Sequence, residues 1–143
     1  MLLEKHYKAV EEVLDEIESA LSDPKGATRH QRRIALMVSL GSAELIEIYL
    51  HKLGILKPGS RIKHDWLKGK EMRQRVENQC IKSLDDVKRI DEILKKAMDI
   101  ELQRNDIAYG APLDDEVMIK DHINMFFDMK GIIESELGEK IVK

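Results

Sequence analysis

Apolar side chains recur every three or four positions along four stretches of the chain, with charged residues between them. This spacing places the apolar positions on one face of an α-helix. The four stretches extend from about residue 2 to 21, 29 to 53, 83 to 108 and 114 to 137. No stretch alternates apolar and polar residues as a half-buried β-strand does. The pattern therefore predicts an all-α protein with four long helices.

The connections between these helices differ in length. Pro24 and Gly26 end the first helix and Pro112 ends the third, because neither residue type continues a helix easily. Residues 61–83 mix scattered apolar side chains with many charges, which predicts a loop with one or two short helical pieces. Short connections favour antiparallel neighbours. We therefore expect an up-and-down four-helix bundle with a short helical insertion between the second and third long helices.

One position within the second helix predicts unusually close packing. Gly41, Ser42 and Ala43 follow one another in the middle of an otherwise bulky apolar segment. Small residues allow a neighbouring helix to approach closely, although glycine costs about 1 kcal/mol in helix propensity. We therefore expect another helix to cross the second helix at this point.

Composition limits the class of protein. The 143 residues are 43% hydrophobic and 36% charged, which predicts a single domain over residues 1–143. The 24 basic and 27 acidic residues give a net charge of −3, which excludes a generally basic coat but not a local basic patch. Cys80 is the single cysteine, so an internal disulfide is excluded and a reducing compartment is favoured. The sequence contains neither a signal-peptide pattern nor an apolar run long enough to span a membrane, so we expect a cytoplasmic protein.

Metal and cofactor motifs are not apparent in the sequence. None of the five histidines has a glutamate three positions before it, as the di-iron bundles require. The pair Glu44-x-x-Glu47 occurs once, without the Glu-x-x-Asp that follows it in magnesium-dependent all-α nucleoside triphosphate pyrophosphohydrolases. No glycine-rich phosphate loop is present. We therefore predict no metal site and no cofactor.

The histidines are predicted to have mainly structural roles. His6 and His51 are expected on solvated helix flanks. His64 lies in the irregular segment, where a hydrogen bond to a neighbouring helix is the expected role. His122 lies beside the apolar face of the fourth helix, which predicts a partly buried imidazole.

A basic cluster begins the second helix. Arg29, Arg32 and Arg33 lie where the helix dipole disfavours cations, and this mismatch makes them candidate phosphate-binding residues. A second basic run over residues 57–75 could extend the same surface. The alternative interpretation is a solvated helix end without a ligand.

The end of the third helix departs from the helical pattern. Arg104 continues the apolar stripe of Ile100, and a charge at such a position must be paired or solvated. Asn105 and Asp106 are poor helix formers. Residues that oppose the local helical pattern in this way can mark a functional site. An arginine that complements the helix dipole before a turn is the alternative.

The pair Arg104-Asn105 at a helix end resembles the motif of the HEPN superfamily of helical nucleotide-binding domains. The segments 42–56 and 64–67 also resemble the middle of such domains. The family's motif is an arginine, often followed by a polar residue, and then a histidine after four to six intervening residues. Tyr109 occupies the position of that histidine. The resemblance implies an up-and-down bundle that is usually dimeric. It also implies a relation to metal-independent ribonucleases, among them toxins paired with nucleotidyltransferase antitoxins.

The resemblance assigns roles to these residues. Arg104 would contact phosphate, Asn105 would orient it, and Tyr109 would stack or donate a hydrogen bond. Tyrosine is a poor general base because its ordinary pKa is about 10. We therefore expect a catalytically degenerate RNA- or nucleotide-binding domain of toxin–antitoxin or defence type. It would act as a homodimer in which two Arg104 side chains face one ligand, and a nucleotidyltransferase-type protein is a candidate partner.

Two alternatives remain open from the sequence. The first is an active metal-independent endoribonuclease that depends on Arg104, in which His122 substitutes for the missing base. The second is a purely structural or protein-binding helical bundle without an RNA or nucleotide ligand.

Overall fold

The computed structural model describes residues 3–142. Its α-helices are α1 (Leu3–Ser22), α2 (Gln31–Lys52), α3 (Met72–Glu77), α4 (Ile90–Tyr109) and α5 (Val117–Leu137). Single 3-10 turns cover Ala27–His30, His64–Trp66 and Leu84–Asp86. Over the described range, β-structure is limited to one isolated bridge between Leu56 and Cys80. The prediction of an all-α helical bundle is confirmed.

The four long helices run alternately up and down around α2, which packs against α1, α4 and α5. Helices that follow one another are antiparallel, because residue numbers rise along one helix as they fall along its neighbour. The contacting pairs are His6–Glu44 and Glu16–Arg33 for α1 and α2, Arg32–Ala108 and Ser39–Glu101 for α2 and α4, and Lys96–Asp128 and Gln103–Asp121 for α4 and α5. The short α3 lies in the connection between α2 and α4, as predicted.

The buried face of α1 is rotated from the predicted one. The buried residues of this helix are His6, Val10, Val13, Ile17 and Ala20. The sequence predicts a different face, which ends at Leu21, but this residue is 49% exposed. The predicted positions are Tyr7, Val10, Leu14, Ile17 and Leu21. Because α1 packs mainly against α2, it is covered along a narrow stripe, and this stripe includes His6. The prediction that His6 lies on a solvated flank is therefore wrong.

Three helices meet at Gly41, as the run of small residues predicted. A Cβ atom at this position would lie 2.8 Å from Phe126 Cε1 of α5 and 3.1 Å from Val13 Cγ2 of α1. The Phe126 ring is fully buried, so it has little room to move aside. Glycine is therefore required here by helix packing rather than by its backbone freedom.

Replacing Gly41 with alanine should lower the free energy of unfolding by about 1–2 kcal/mol, because overpacking outweighs the gain in helix propensity. Gly131 of α5 is the matched control, since a Cβ there would meet no described atom within 4 Å. Gly131→Ala should raise the stability by about 0.5–1 kcal/mol. Chemical denaturation of both variants measures the difference, and a stabilised Gly41→Ala would contradict the close packing.

The connection between α2 and α4 is anchored to the bundle by buried apolar side chains. Ile62, Leu67 and Val76 are buried, whereas Trp66 is only partly buried. The backbone N–H groups of Lys57 and Ile81 donate to the carbonyls of Gln79 and Ile55 at 2.9 and 2.8 Å. These hydrogen bonds join the two ends of the connection, so the segment around His64 has a defined position against α2.

α4 begins at Ile90 rather than near residue 83 as predicted. Ser83 does cap a helical turn, because its Oγ accepts from the Asp85 N–H at 3.1 Å. That turn is 3-10 and ends at Asp86. Arg89 then adopts a left-handed conformation with φ of 60°, which separates the turn from α4.

The segment 27–52 is long and apolar enough to cross a membrane by length and composition. However, 72% of its most apolar window is buried inside the bundle. The central position of α2 among three other helices accounts for this apolar character.

Candidate functional site

The last turns of α4 bring together the three residues predicted from the motif. Arg104 has a side chain only 15% exposed, and its guanidinium carbon lies 5.7 Å from the centre of the Tyr109 ring. Its Nη1 donates to Asn105 Oδ1 at 3.3 Å. Tyr109 itself is 72% exposed. The guanidinium thus lies near an aromatic ring at the protein surface, and the ring attracts this positive charge.

Arg104 also faces a buried carboxylate one turn earlier on α4. Its Nη1 lies 3.8 Å from Glu101 Oε1. Glu101 is fully buried, and its Oε2 accepts from the Ser39 hydroxyl of α2 at 2.5 Å. Burial of a carboxylate is unfavourable unless it is paired and hydrogen-bonded. Glu101 therefore links the arginine to α2.

His64 is the third partner of Glu101. Its Nδ1 lies 3.2 Å from Glu101 Oε1 and 3.3 Å from the Ser39 hydroxyl. We assign the proton to Nδ1 because its partner is a carboxylate, and the lone pair is then on Nε2. The side chain is 30% exposed, so solvent reaches this ring. The predicted hydrogen bond from His64 to a neighbouring helix is confirmed, and His64 and Arg104 share one carboxylate.

His122, the predicted substitute base, lies in the bundle core. Its side chain is fully buried, and its Nδ1 lies 3.1 Å from Gln103 Oε1. Burial lowers the pKa of His122 to about 4, so the imidazole is neutral near pH 7. Because the His122 imidazole has no contact with solvent, it cannot accept a proton from a ligand bound at the protein surface. His64 has the exposure and the connection to Arg104 that His122 lacks.

Arg32 and Arg33 lie in the first turn of α2, whereas Arg29 lies in the 3-10 turn before it and not in the helix as predicted. The three side chains have different surroundings. Arg32 Nε donates to the Ala108 carbonyl at 3.2 Å, so its side chain lies at the end of α4. Arg33 Nη1 lies 3.4 Å from Glu16 Oε1 of α1, and Arg29 is exposed. All three line a shallow depression of about 620 Å³. Of the three, Arg32 contacts the helix end that carries Tyr109.

A second depression of about 430 Å³ lies between α2 and the segment that carries His64. Its lining residues are Leu40, Ala43, Glu44, Arg61, Ile62, Lys63, His64 and Asp65. The lining therefore includes the partly exposed imidazole of the Glu101 cluster. It also includes the carboxylate of Glu44 and the basic residues Arg61 and Lys63.

Glu44 belongs to a second polar cluster that the sequence prediction missed. His6, Glu44 and Glu47 each place a nitrogen or oxygen atom within 4.8 Å of the others. One sequence signal for this cluster was available, because Glu47 interrupts the apolar run from Leu45 to Leu50. A lone charge in such a run has to find a partner, and that partner is on another helix.

Comparison of the whole chain with family models, curated proteins and solved structures finds no match.

Proposed function

We propose that this chain is a HEPN-like domain that binds a phosphate of RNA or of a nucleotide through Arg104. The arrangement of Arg104 at the end of α4 supports the proposal. The guanidinium belongs to a side chain that is only 15% exposed, and it lies near the Tyr109 ring at 5.7 Å and Glu101 at 3.8 Å. A planar guanidinium held in this way presents several N–H donors at a fixed angle, which suits contact with two phosphate oxygens. Tyr109 has an exposed ring on which a base could stack.

A second cation adjoins this site. Arg32 reaches the end of α4 through its hydrogen bond to the Ala108 carbonyl. Arg29 lies in the same depression and is exposed to solvent. Because each phosphate contact adds to a salt-dependent affinity, two or three arginines could follow a short stretch of nucleic acid backbone. This local basic surface is compatible with the net charge of −3.

The partner that we propose for the site is a second copy of the chain. Leu36 and Leu40 of α2 are 39% and 49% exposed and lie one turn apart. Leu36 borders the basic depression, and Leu40 borders the depression beside His64. A homodimer that covers these leucines would bring two copies of the Arg104 site to one cleft, and sedimentation velocity tests this.

The RNA-binding proposal predicts that Arg104→Ala weakens binding of mixed-sequence RNA by about 10- to 150-fold, because one charge-assisted contact is worth about 1.5–3 kcal/mol. The slope of log affinity against log salt concentration should also fall by about 0.7 for each lost phosphate contact. Electrophoretic mobility shifts in EDTA at several salt concentrations measure both quantities.

Lys95→Ala is the matched control for Arg104→Ala. Lys95 lies on the same helix and pairs with Asp99, so its removal deletes one positive charge away from the site. We expect affinity within about twofold of the wild type, as surface ion pairs contribute little. Equal weakening by both variants would indicate that net charge, rather than Arg104, determines binding. An absence of binding by the wild type would favour a structural or protein-binding bundle.

A second candidate function is metal-independent RNA cleavage, which the His64–Glu101 contact favours. Glu101 accepts from His64 Nδ1, so Nε2 could take the proton of a ribose 2′-hydroxyl. The 2′-oxygen would attack phosphorus, the 5′-oxygen would leave and take a proton from solvent, and Arg104 would stabilise the phosphate charge. The products would be a 2′,3′-cyclic phosphate and a 5′-hydroxyl. Cleavage in EDTA that is lost in His64→Gln and kept in His122→Leu would establish this function.

A toxin–antitoxin or defence role, with a nucleotidyltransferase-type partner, follows from the same resemblance. Such a partner would cover the Arg104 site or modify a residue beside it. The exposed Tyr109 hydroxyl could accept a nucleotidyl group from a nucleoside triphosphate, with pyrophosphate as the leaving group and the phenolic proton lost to solvent. Mass spectrometry of the chain coexpressed with a nucleotidyltransferase-type protein would detect the added mass.

A further inference from the structure

Three potential metal ligands from two helices converge at the cluster His6, Glu44 and Glu47. His6 Nδ1 lies 2.5 Å from Glu44 Oε2 and 3.1 Å from Glu47 Oε2. His6 and Glu47 are buried, and Glu44 has a side chain 16% exposed. The pair on α2 is separated by three positions, which puts both carboxylates on one face of the helix opposite His6 of α1.

Protein hydrogen bonds alone do not satisfy this cluster. The single proton on His6 Nδ1 can serve one carboxylate, and the Glu44 oxygen at 2.5 Å is the closer. Over residues 3–142, Glu47 Oε2 accepts no hydrogen bond, although it is buried and lies 3.1 Å from that nitrogen. A buried carboxylate oxygen without a partner destabilises the folded protein. A cation bound at this point would supply the missing partner and remove that destabilisation.

We propose that His6, Glu44 and Glu47 form a binding site for a divalent transition metal, with Zn²⁺ as the best-suited ion. An imidazole ligand disfavours Mg²⁺ and Ca²⁺, which prefer oxygen donors only, whereas one nitrogen and two carboxylates suit Zn²⁺. Three protein ligands leave a fourth tetrahedral position for water or another ligand. The proposal does not depend on the proposed RNA binding.

The surroundings of the cluster support a metal site. The Ile62 N–H donates to Glu47 Oε1, which leaves Oε2 directed at the cluster. Partners of this kind orient metal-binding carboxylates. His6 Nδ1 would give up its proton on binding, to Nε2 or to solvent, so that its lone pair faces the metal. Zn²⁺ with bonds of about 2.0–2.2 Å holds its ligand atoms about 3.3 Å apart, so His6 and Glu44 would separate by less than about 1 Å on binding. Glu44 can make this movement because it is the partly exposed member of the three.

The cluster is also accessible to an ion. Glu44 forms part of the wall of the 430 Å³ depression between α2 and the segment 61–65. A metal bound by Glu44 would therefore face this depression through its open coordination position. Arg61 and Lys63 line the same depression, so an anionic ligand could occupy the fourth position.

Isothermal titration of the metal-free chain with Zn²⁺ tests the proposal. We expect one Zn²⁺ per chain, weaker binding of Mg²⁺, and a rise in Tm when Zn²⁺ is present. Glu44→Gln keeps the side-chain shape and should weaken Zn²⁺ affinity by at least about 100-fold, since even outer partners of metal ligands contribute about 10–100-fold. His6→Asn should weaken it similarly. Co²⁺ in place of Zn²⁺ should give the visible absorption of a low-coordinate site in the wild type and lose it in both variants.

His30→Asn is the matched control. His30 also contacts two carboxylates, Glu16 at 3.4 Å and Asp23 at 2.9 Å, but through opposite ring nitrogens, so the donors do not converge on one point. This variant should bind Zn²⁺ as the wild type does. An absence of stoichiometric binding by the wild type, or unchanged affinity in a folded Glu44→Gln, would overturn the proposal. Far-UV circular dichroism of each variant confirms that the helices are intact.

Discussion

Replacing Glu101 with leucine should lower the free energy of unfolding by about 3 kcal/mol, because one substitution removes the partner of three polar groups. The Ser39 hydroxyl is buried and donates to Glu101 at 2.5 Å, so it would lose its acceptor in the core. His64 and Arg104 would lose their shared carboxylate. Arg104 and His64 are partly exposed and regain some solvation, which keeps the loss below that of a fully buried network.

Chemical denaturation of Glu101→Leu and Asp99→Asn measures this effect. Asp99 is the control because it lies on the same helix and pairs with Lys95 near the surface. Its replacement should cost less than about 1 kcal/mol. Adding Ser39→Ala to Glu101→Leu should cost less than Ser39→Ala costs in the wild type, since the hydroxyl has already lost its partner. A loss below about 1 kcal/mol in Glu101→Leu would contradict the network described for this site.

His122 should make the protein sensitive to mild acid. Burial lowers its pKa to about 4, whereas an unfolded histidine has a pKa of about 6.5. Below about pH 6.5 the unfolded chain therefore binds a proton that the folded chain does not, so stability falls as the pH falls toward 4. Between pH 8 and pH 5 this single residue should reduce the free energy of unfolding by about 2 kcal/mol.

The pH dependence of unfolding in His122→Leu isolates this contribution. The variant removes the titrating group, so its stability should fall by about 2 kcal/mol less than that of the wild type between pH 8 and pH 5. His51→Gln is the control, because His51 is exposed at the end of α2. Parallel pH profiles for the wild type and His122→Leu would show that His122 titrates as it does in the unfolded chain. The comparison between variants cancels the titration of all other groups.

Much of the fold was predictable from local sequence. α1 and α5 differ from their predicted bounds by no more than three residues. Their bounds depend on local signals, namely the apolar periodicity of each helix and the residues that end them, Pro24 after α1 and Gly138 after α5. Gly41 predicted a close helix crossing for the same local reason. The start of α4 was missed because Leu84–Asp86 forms a separate 3-10 turn, which the extended backbone of Val87 and the left-handed conformation of Arg89 divide from the helix.

The motif at the end of α4 was likewise visible in sequence, since Arg104, Asn105 and Tyr109 lie within six positions of one another. Its partners were not visible, because Ser39 and His64 are 62 and 37 positions from Glu101. Periodicity describes which face of a helix is apolar but not which residue of another helix lies opposite it. From the sequence, His122 is therefore the predicted substitute base, whereas packing brings His64 to the carboxylate beside Arg104.

By itself the sequence determined the class of fold, the number of long helices and the position of an arginine motif, because these depend on neighbours within one or two helical turns. The tertiary structure alone decided that His6 is buried between Glu44 and Glu47, and that Glu101 joins Ser39, His64 and Arg104. A charged or polar side chain that is buried is unfavourable unless it has a hydrogen-bonding or ionic partner. That partner is supplied by a distant segment whose register depends on the packing of the whole bundle.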